Sequence, residues 1–176
     1  MFEQNNKKRS TLFEFLESVV IAVILAFVIR MFLFQPFYIP SGSMEPTLQV
    51  NDRIIVNKLT YRFSEPKRGD IIVFKFPLDP SRDYIKRLIG LPGETLEIKN
   101  SVIYINNKPI KESYLPPNLH FADFPPVKIP KNAYFMMGDN RNNSQDSRYW
   151  GTLQKNLIIG KAQLIYWPLN RLKLVK

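Results

Sequence analysis

The chain begins with a long apolar run and then changes its period. Phe13 to Phe34 covers 22 residues, and its middle, Val19 to Ile29, carries no charge. As a helix rising 1.5 Å per residue it would reach about 33 Å, enough to cross the hydrocarbon core of a bilayer. The run lacks the polar face of a helix buried on one side only. Glu14 and Glu17 fall near its start and Arg30 near its end, where long side chains reach headgroups. Lys7, Lys8 and Arg9 precede it. The positive-inside rule then puts residues 1–12 in the cytoplasm, residues 13–34 across the membrane in a single pass, and residues 35–176 outside. A cleaved secretory signal is the competing reading, since Ser41-Gly42-Ser43 is a small-x-small site. The run is long for such a signal, and cleavage there would sever residues 41–43 from the domain that follows, so an uncleaved anchor is expected.

Beyond the anchor the pattern is that of strands. Gln35 to Pro40 is extended chain, because residues before proline avoid the helical region. Arg53–Lys58, Asp70–Phe76, Tyr84–Gly90 and Ala133–Met137 are rich in β-branched and aromatic residues. Ile158–Trp167 supplies the last strands. Val102–Ile105, Asn106-Asn107 and Lys108–Ile110 read as a hairpin, with Pro109 placing its second arm at an edge. Residues 111–133 read as a long proline-rich loop, so 95–132 forms a hairpin-and-loop insert. No helix is expected after the anchor, apart from a turn near Gly151 to Leu157. The expected fold is mostly β: one N-terminal transmembrane helix, then a barrel- or sandwich-like domain with a small inserted lobe.

Composition narrows the chemistry. The 14 prolines and seven glycines fit many turns and short strands. The absence of cysteine excludes a disulfide framework, a thiol nucleophile and a thiolate metal site. His120 is the only histidine, and its proline-rich surroundings make it a loop or packing residue. Asp79 and Asp83 lack the clustering of a carboxylate metal site, so no metal and no cofactor are expected. The net charge of +10 suits nucleic acid, anionic lipid or a solubilising surface. No basic run interleaved with aromatics is present, so lipid proximity is favoured and nucleic acid is not an expected partner.

Three segments carry candidate chemistry. Ser43, in Ile39-Pro40-Ser41-Gly42-Ser43-Met44-Glu45-Pro46-Thr47-Leu48, follows the anchor directly. A hydroxyl needs a base before it is a nucleophile. Lys86 sits on a strand whose alternation places it with Tyr84 and Leu88. Among apolar neighbours its amine would lose solvation and its pKa would fall; an ordinary surface lysine is the plain alternative. Gly138 to Arg148 packs amides, hydroxyls and opposite charges into a strand exit. There Asp146 and Arg148 could pair and Ser144 could accept a hydrogen bond from an amine; a solvated polar loop is the alternative.

Together these segments resemble the bacterial type I signal peptidases, the membrane-anchored Ser-Lys leader peptidases. Ser41-Gly42-Ser43-Met44 with Pro46-Thr47-Leu48 resembles the nucleophile motif, and Tyr84 to Glu94 the general-base motif. Lys67 to Phe74 resembles the structural strand motif, and Gly138-Asp139-Asn140-Arg141 through Ser144, Asp146, Ser147 and Arg148 the last one. The short stretch between Gly93 and Ala133 resembles the compact, single-anchor form of Gram-positive bacteria. The resemblance implies Ser43 as nucleophile and Lys86 as general base. It implies an oxyanion hole from the Ser41 hydroxyl and the Ser43 backbone N–H, and Ser144 orienting the amine. Asp139, Arg141, Asp146 and Arg148 would hold the site as ion pairs. The implied substrates are preproteins with signal peptides, cut after small residues, with the phospholipid bilayer and, by proximity, the secretion translocon as partners. A self-cleaving Ser-Lys repressor is opposed by the anchor and by the lack of a helix-turn-helix; a non-enzymatic anchored scaffold is opposed by the presence of every motif.

Overall fold

The computed structural model describes residues 11–175, with the side chains at 28 and 30–32 left out. The expected cytoplasmic segment, residues 1–12, thus lies almost wholly outside the described residues. Helix α1 spans Thr11–Phe32. Among the described residues no helix is long and apolar enough to cross a membrane. The helix passes directly into strand β1, Phe34–Tyr38, and its end is tied to the sheet where Lys58 N donates to the Leu33 carbonyl at 2.9 Å.

The rest is mostly β. Strands β2 (Arg53–Asn57), β3 (Ile71–Phe76) and β4 (Asp79–Gly90) are followed by β5 (Thr95–Lys99), β6 (Val102–Ile105) and β7 (Lys108–Pro109). Then come β8 (Phe124–Lys128), β9 (Ala133–Met137), β10 (Leu153–Gln154), β11 (Ile158–Trp167) and β12 (Lys173–Leu174). The larger sheet has the order β1-β2-β11-β3-β4-β9-β10, with β12 beside β11; the smaller has the order β7-β6-β5-β8. Every pairing is antiparallel.

Period-two alternation explains how β4 serves two faces. Leu88 packs with Ile72, Phe74, Tyr134 and Met136. Ile89, its neighbour, packs with the smaller sheet through Leu96, Ile98 and Ile103, alongside Phe135 of β9. A third apolar cluster, with Met44, Leu48, Ile54, Val56 and Val73, sits under the start of the domain. Strand β3 has apolar residues on both sides buried, hence its unbroken run Ile71 to Phe74.

The structure departs from the sequence reading in the insert and at two short helices. The insert holds two further strands. In β5, Leu96 and Ile98 point inward by simple alternation. In β8, Pro125 and Pro126 mask the signal; they fall at the register shift between the Leu96↔Val127 and Ile98↔Phe124 pairs, on an edge where missing N–H groups do no harm. Short helices also follow the anchor, contrary to expectation: α2 at Thr60–Phe63 and α3 at Ser147–Trp150. Each is a single turn, below the length at which a helical period can be read. The Asn106-Asn107 hairpin is as expected, both residues having positive φ, 50° and 65°, with Tyr104 opposite Pro109.

Candidate active site

The turn carrying Ser43 is seated by the apolar residues around it. Ile39, Met44 and Leu48 are buried, and between them Gly42–Met44 forms one turn of 3-10 helix. Ser41 precedes it in extended conformation, φ −136° and ψ 153°. The turn is gripped from above by Asn140, whose Nδ2 donates to the Gly42 carbonyl at 3.0 Å and whose backbone N donates to the Ser43 carbonyl at 3.2 Å.

Lys86 comes from the middle of β4 and is 4% exposed. Its Nζ donates to Ser43 Oγ at 2.8 Å and to the Ile85 carbonyl at 3.0 Å. The Tyr84 ring centroid lies 5.4 Å from the same nitrogen. Burial disfavours the ammonium and brings the amine's pKa down from 10.5 to about 8, against the opposing pull of Asp146 and Asp139.

Both of those carboxylates are neutralised by arginines. Asp146 accepts from Arg148 Nε and Nη2, both at 2.8 Å, and from the Gly138 backbone at 3.0 Å. It also caps α3 through the Arg148 N–H. Asp139 accepts from Arg87 Nε at 2.8 Å and Nη2 at 2.7 Å, and from the Thr47 hydroxyl at 2.6 Å. Arg141 pairs with Glu112 instead of Asp139, at 2.7 and 2.5 Å.

The expected residues therefore converge, with two amendments. First, Asp139 and Arg141 are not partners of each other by side chain. Their partners, Arg87 and Glu112, are not among the site residues expected from the sequence. Second, Ser144 Oγ is buried without a hydrogen-bond partner among the described residues and packs against Gly138, while the amine donates to the Ile85 carbonyl. Close approach is likewise demanded at Gly138 more than at Gly42. A Cβ on Gly138 would stand 2.4 Å from the Ser43 carbonyl oxygen and 2.2 Å from Ser144 Oγ, whereas one on Gly42 would meet only the movable Glu45 carboxylate at 3.0 Å.

A cavity of about 430 Å³ opens over the pair, lined by Ser41, Gly42, Ser43, Arg82 to Lys86, Asn143 and Gln145 with Pro40 at its edge. Next to it lies a narrow hollow of about 40 Å³ between Phe37, Ile39, Ile54, Val73, Tyr84 and Ile85. Among the described residues, no cluster of three or more His, Cys, Asp or Glu side chains is placed to hold a metal ion.

Known proteins are similar to this chain. Residues 12–167 match the family described as signal peptidase, peptidase S26. A signal peptidase I of Leptolyngbya laminosa is 45% identical over 176 residues, covering 94% of this chain and 85% of that one. A signal peptidase I P of Bacillus subtilis subsp. natto is 41% identical over 186 residues, covering 100% of both. The crystal structure of a signal peptidase I from Enterococcus faecalis V583 aligns with a TM-score of 0.50 and 35% identity, over 56% of this chain and 97% of that one. The chain belongs to the signal peptidase family, peptidase S26, as a bacterial type I member.

Gly138→Ala is expected to lower kcat for preprotein cleavage by about a hundredfold while leaving the protein folded, because the added methyl displaces the Ser43 carbonyl. Steady-state kinetics beside a circular dichroism spectrum tests this; kcat within twofold of the parent would refute the close-approach argument.

Proposed function

We propose that Ser43 and Lys86 carry the reaction of this signal peptidase, the removal of signal peptides from preproteins. The observation that carries the reading is the 2.8 Å contact between a buried amine and a serine oxygen at the floor of the cavity. Neutral Lys86 accepts the Ser43 hydroxyl proton as Oγ bonds to the scissile carbonyl carbon. The resulting ammonium returns that proton to the leaving nitrogen as the C–N bond breaks, which frees the mature protein and leaves the signal peptide as an ester on Ser43. Water then attacks the ester with Lys86 again as base, and the signal peptide departs as a carboxylate.

The oxyanion donors are the Ser43 backbone N–H and the Ser41 hydroxyl. Ser41 supports this role by lining the same cavity from an extended backbone. Such a donor contributes about 2.7–4 kcal/mol to the transition state. Asp139, Asp146 and Arg148 act at one remove, fixing the loop over Ser43, while Arg141 braces it from within. Cleavage after small residues is supported by the narrowness of the apolar hollow beside the pair.

The same reading makes α1 a single-pass anchor, with residues 1–12 cytoplasmic, 13–34 in the bilayer and 35–176 outside as the catalytic domain, residues 95–132 being its insert. Its support is the exposure of the apolar side chains along the helix. Leu12, Phe15, Leu16, Val20, Val23, Ile24 and Phe27 are each more than half exposed, a surface that water disfavours and lipid accepts. The bilayer is then a partner, and the translocon a neighbour.

Ser43→Ala and Lys86→Met are each expected to abolish cleavage of a preprotein by the detergent-solubilised chain while leaving it folded; turnover by either variant ends that assignment. The rate should climb with pH. Lys86, with its pKa brought down to about 8, is mostly ammonium at pH 6, so kcat/KM rises about tenfold per unit there and levels above pH 8. A profile flat from about pH 5 to 9 excludes a titrating Lys86. Stability follows the same sign: between about pH 8 and 10.5 the unfolded chain binds a proton that the folded one lacks, so the fold gains stability as pH rises through that window. For the anchor, the chain should stay with membranes through alkaline extraction, and residues 35–176 should be cut by protease added outside; release into the supernatant contradicts the topology.

A further inference from the structure

The segment from 110 to 121 leaves the smaller sheet after β7 and crosses to the loop 138–148. Glu112 grips Arg141 at two points there, with the two side chains 9% and 0% exposed. The Tyr114 hydroxyl donates to Glu112, and its ring centroid lies 3.7 Å from Arg87 Cζ. The His120 carbonyl accepts from Asn142 Nδ2 at 2.8 Å, and the Phe121 ring centroid lies 5.2 Å from Arg141 Cζ. The mechanism above uses none of these contacts.

Arg141 is well placed to transmit them. Its Nε donates to the Gly138 carbonyl at 3.1 Å, and its own carbonyl accepts from Arg148 Nη2 at 2.7 Å. It therefore spans the loop from Gly138, which abuts Ser43, to Arg148, which holds Asp146. A guanidinium this dry needs its carboxylate, because a buried charge left without its partner is strongly unfavourable. Deprived of Glu112, it would compete with Arg87 for Asp139.

We propose that Glu112 is a positioning residue for the reaction: through Arg141 it fixes the 138–148 loop, and with it the seat of Ser43 and the charges around Lys86. The inserted sheet is then a brace for the active site. The proposal rests on reading Ser43 and Lys86 as the reacting pair. The charged and titratable groups around Lys86 are Arg82, Asp83, Tyr84 and Arg87 on its own strand, and Asp139, Asp146, Arg141 and Arg148 on the loop.

The test is Glu112→Gln in the full chain, assayed in detergent well below its unfolding midpoint and normalised to folded protein. kcat should fall about tenfold with KM within about twofold. The rising limb of the pH profile should move to lower pH, since the uncompensated Arg141 charge disfavours the Lys86 ammonium. Glu112→Asp, which keeps the carboxylate, should return the profile toward the parent's. Tyr114→Phe removes only the hydroxyl on Glu112 and should lower kcat about threefold; it decides the matter if Glu112→Gln does not fold. Parental kcat and pH profile in the folded variants overturn the proposal. An active Ser43→Ala, run alongside, would instead overturn the assignment of the pair, so the two failures are distinguishable.

Discussion

An amine held out of water against a serine oxygen is the constraint on which the rest of this structure depends. Lys86 reaches Ser43 only because β4 delivers it to a place that is 4% exposed. Burial there acts against the ammonium, while Asp146 and Asp139 act for it. Were those carboxylates unpaired, they would hold the proton on the amine and defeat its use as a base. Each is instead saturated by a guanidinium, Arg148 on one and Arg87 on the other. The balance leaves an amine whose pKa is brought down to about 8.

The pleat of β4 makes this compact. Lys86 and Arg87 are consecutive, so their side chains leave opposite faces of the strand. One supplies the amine that meets Ser43. The other passes to Asp139 and, through the same carboxylate, to Thr47 just beyond the Ser43 turn. Two adjacent residues thus bring the amine to Ser43 and tie the loop to the serine segment. The apolar partition follows the same division, Leu88 and Ile89 serving different clusters on the two sides.

Much of this was legible in the sequence, and the exceptions have physical causes. Strand β3 shows itself because β-branched and aromatic residues run from Ile71 to Phe74 where both faces are buried, β9 because its apolar run is buried throughout, and β2 because Ile54, Ile55 and Val56 are β-branched. The hairpin at Asn106-Asn107 shows itself because both asparagines tolerate positive φ. Strand β8 was hidden by Pro125 and Pro126, which mean loop in a central strand but are harmless at an edge. At the site, Ser43, Lys86, Asp146 and Arg148 were found because their chemistry is local or carried by motifs. Glu112 was not found, since an ion pair spanning 29 positions leaves no trace in local pattern. The direction of the Ser144 hydroxyl was not legible for a related reason: it depends on the packing of Gly138, which sequence spacing does not specify.

Strand β1 has one more consequence. It joins helix α1 to the serine turn with almost no slack, since Leu33 closes the helix and Phe34 already pairs with Asn57. Ten residues separate Leu33 from Ser43, at most about 36 Å of chain. On the proposed topology, β1 works as a ruler. It keeps the cutting edge at one height above the lipid surface, so bonds that emerge farther out on an exported chain lie beyond its reach however suitable their side chains.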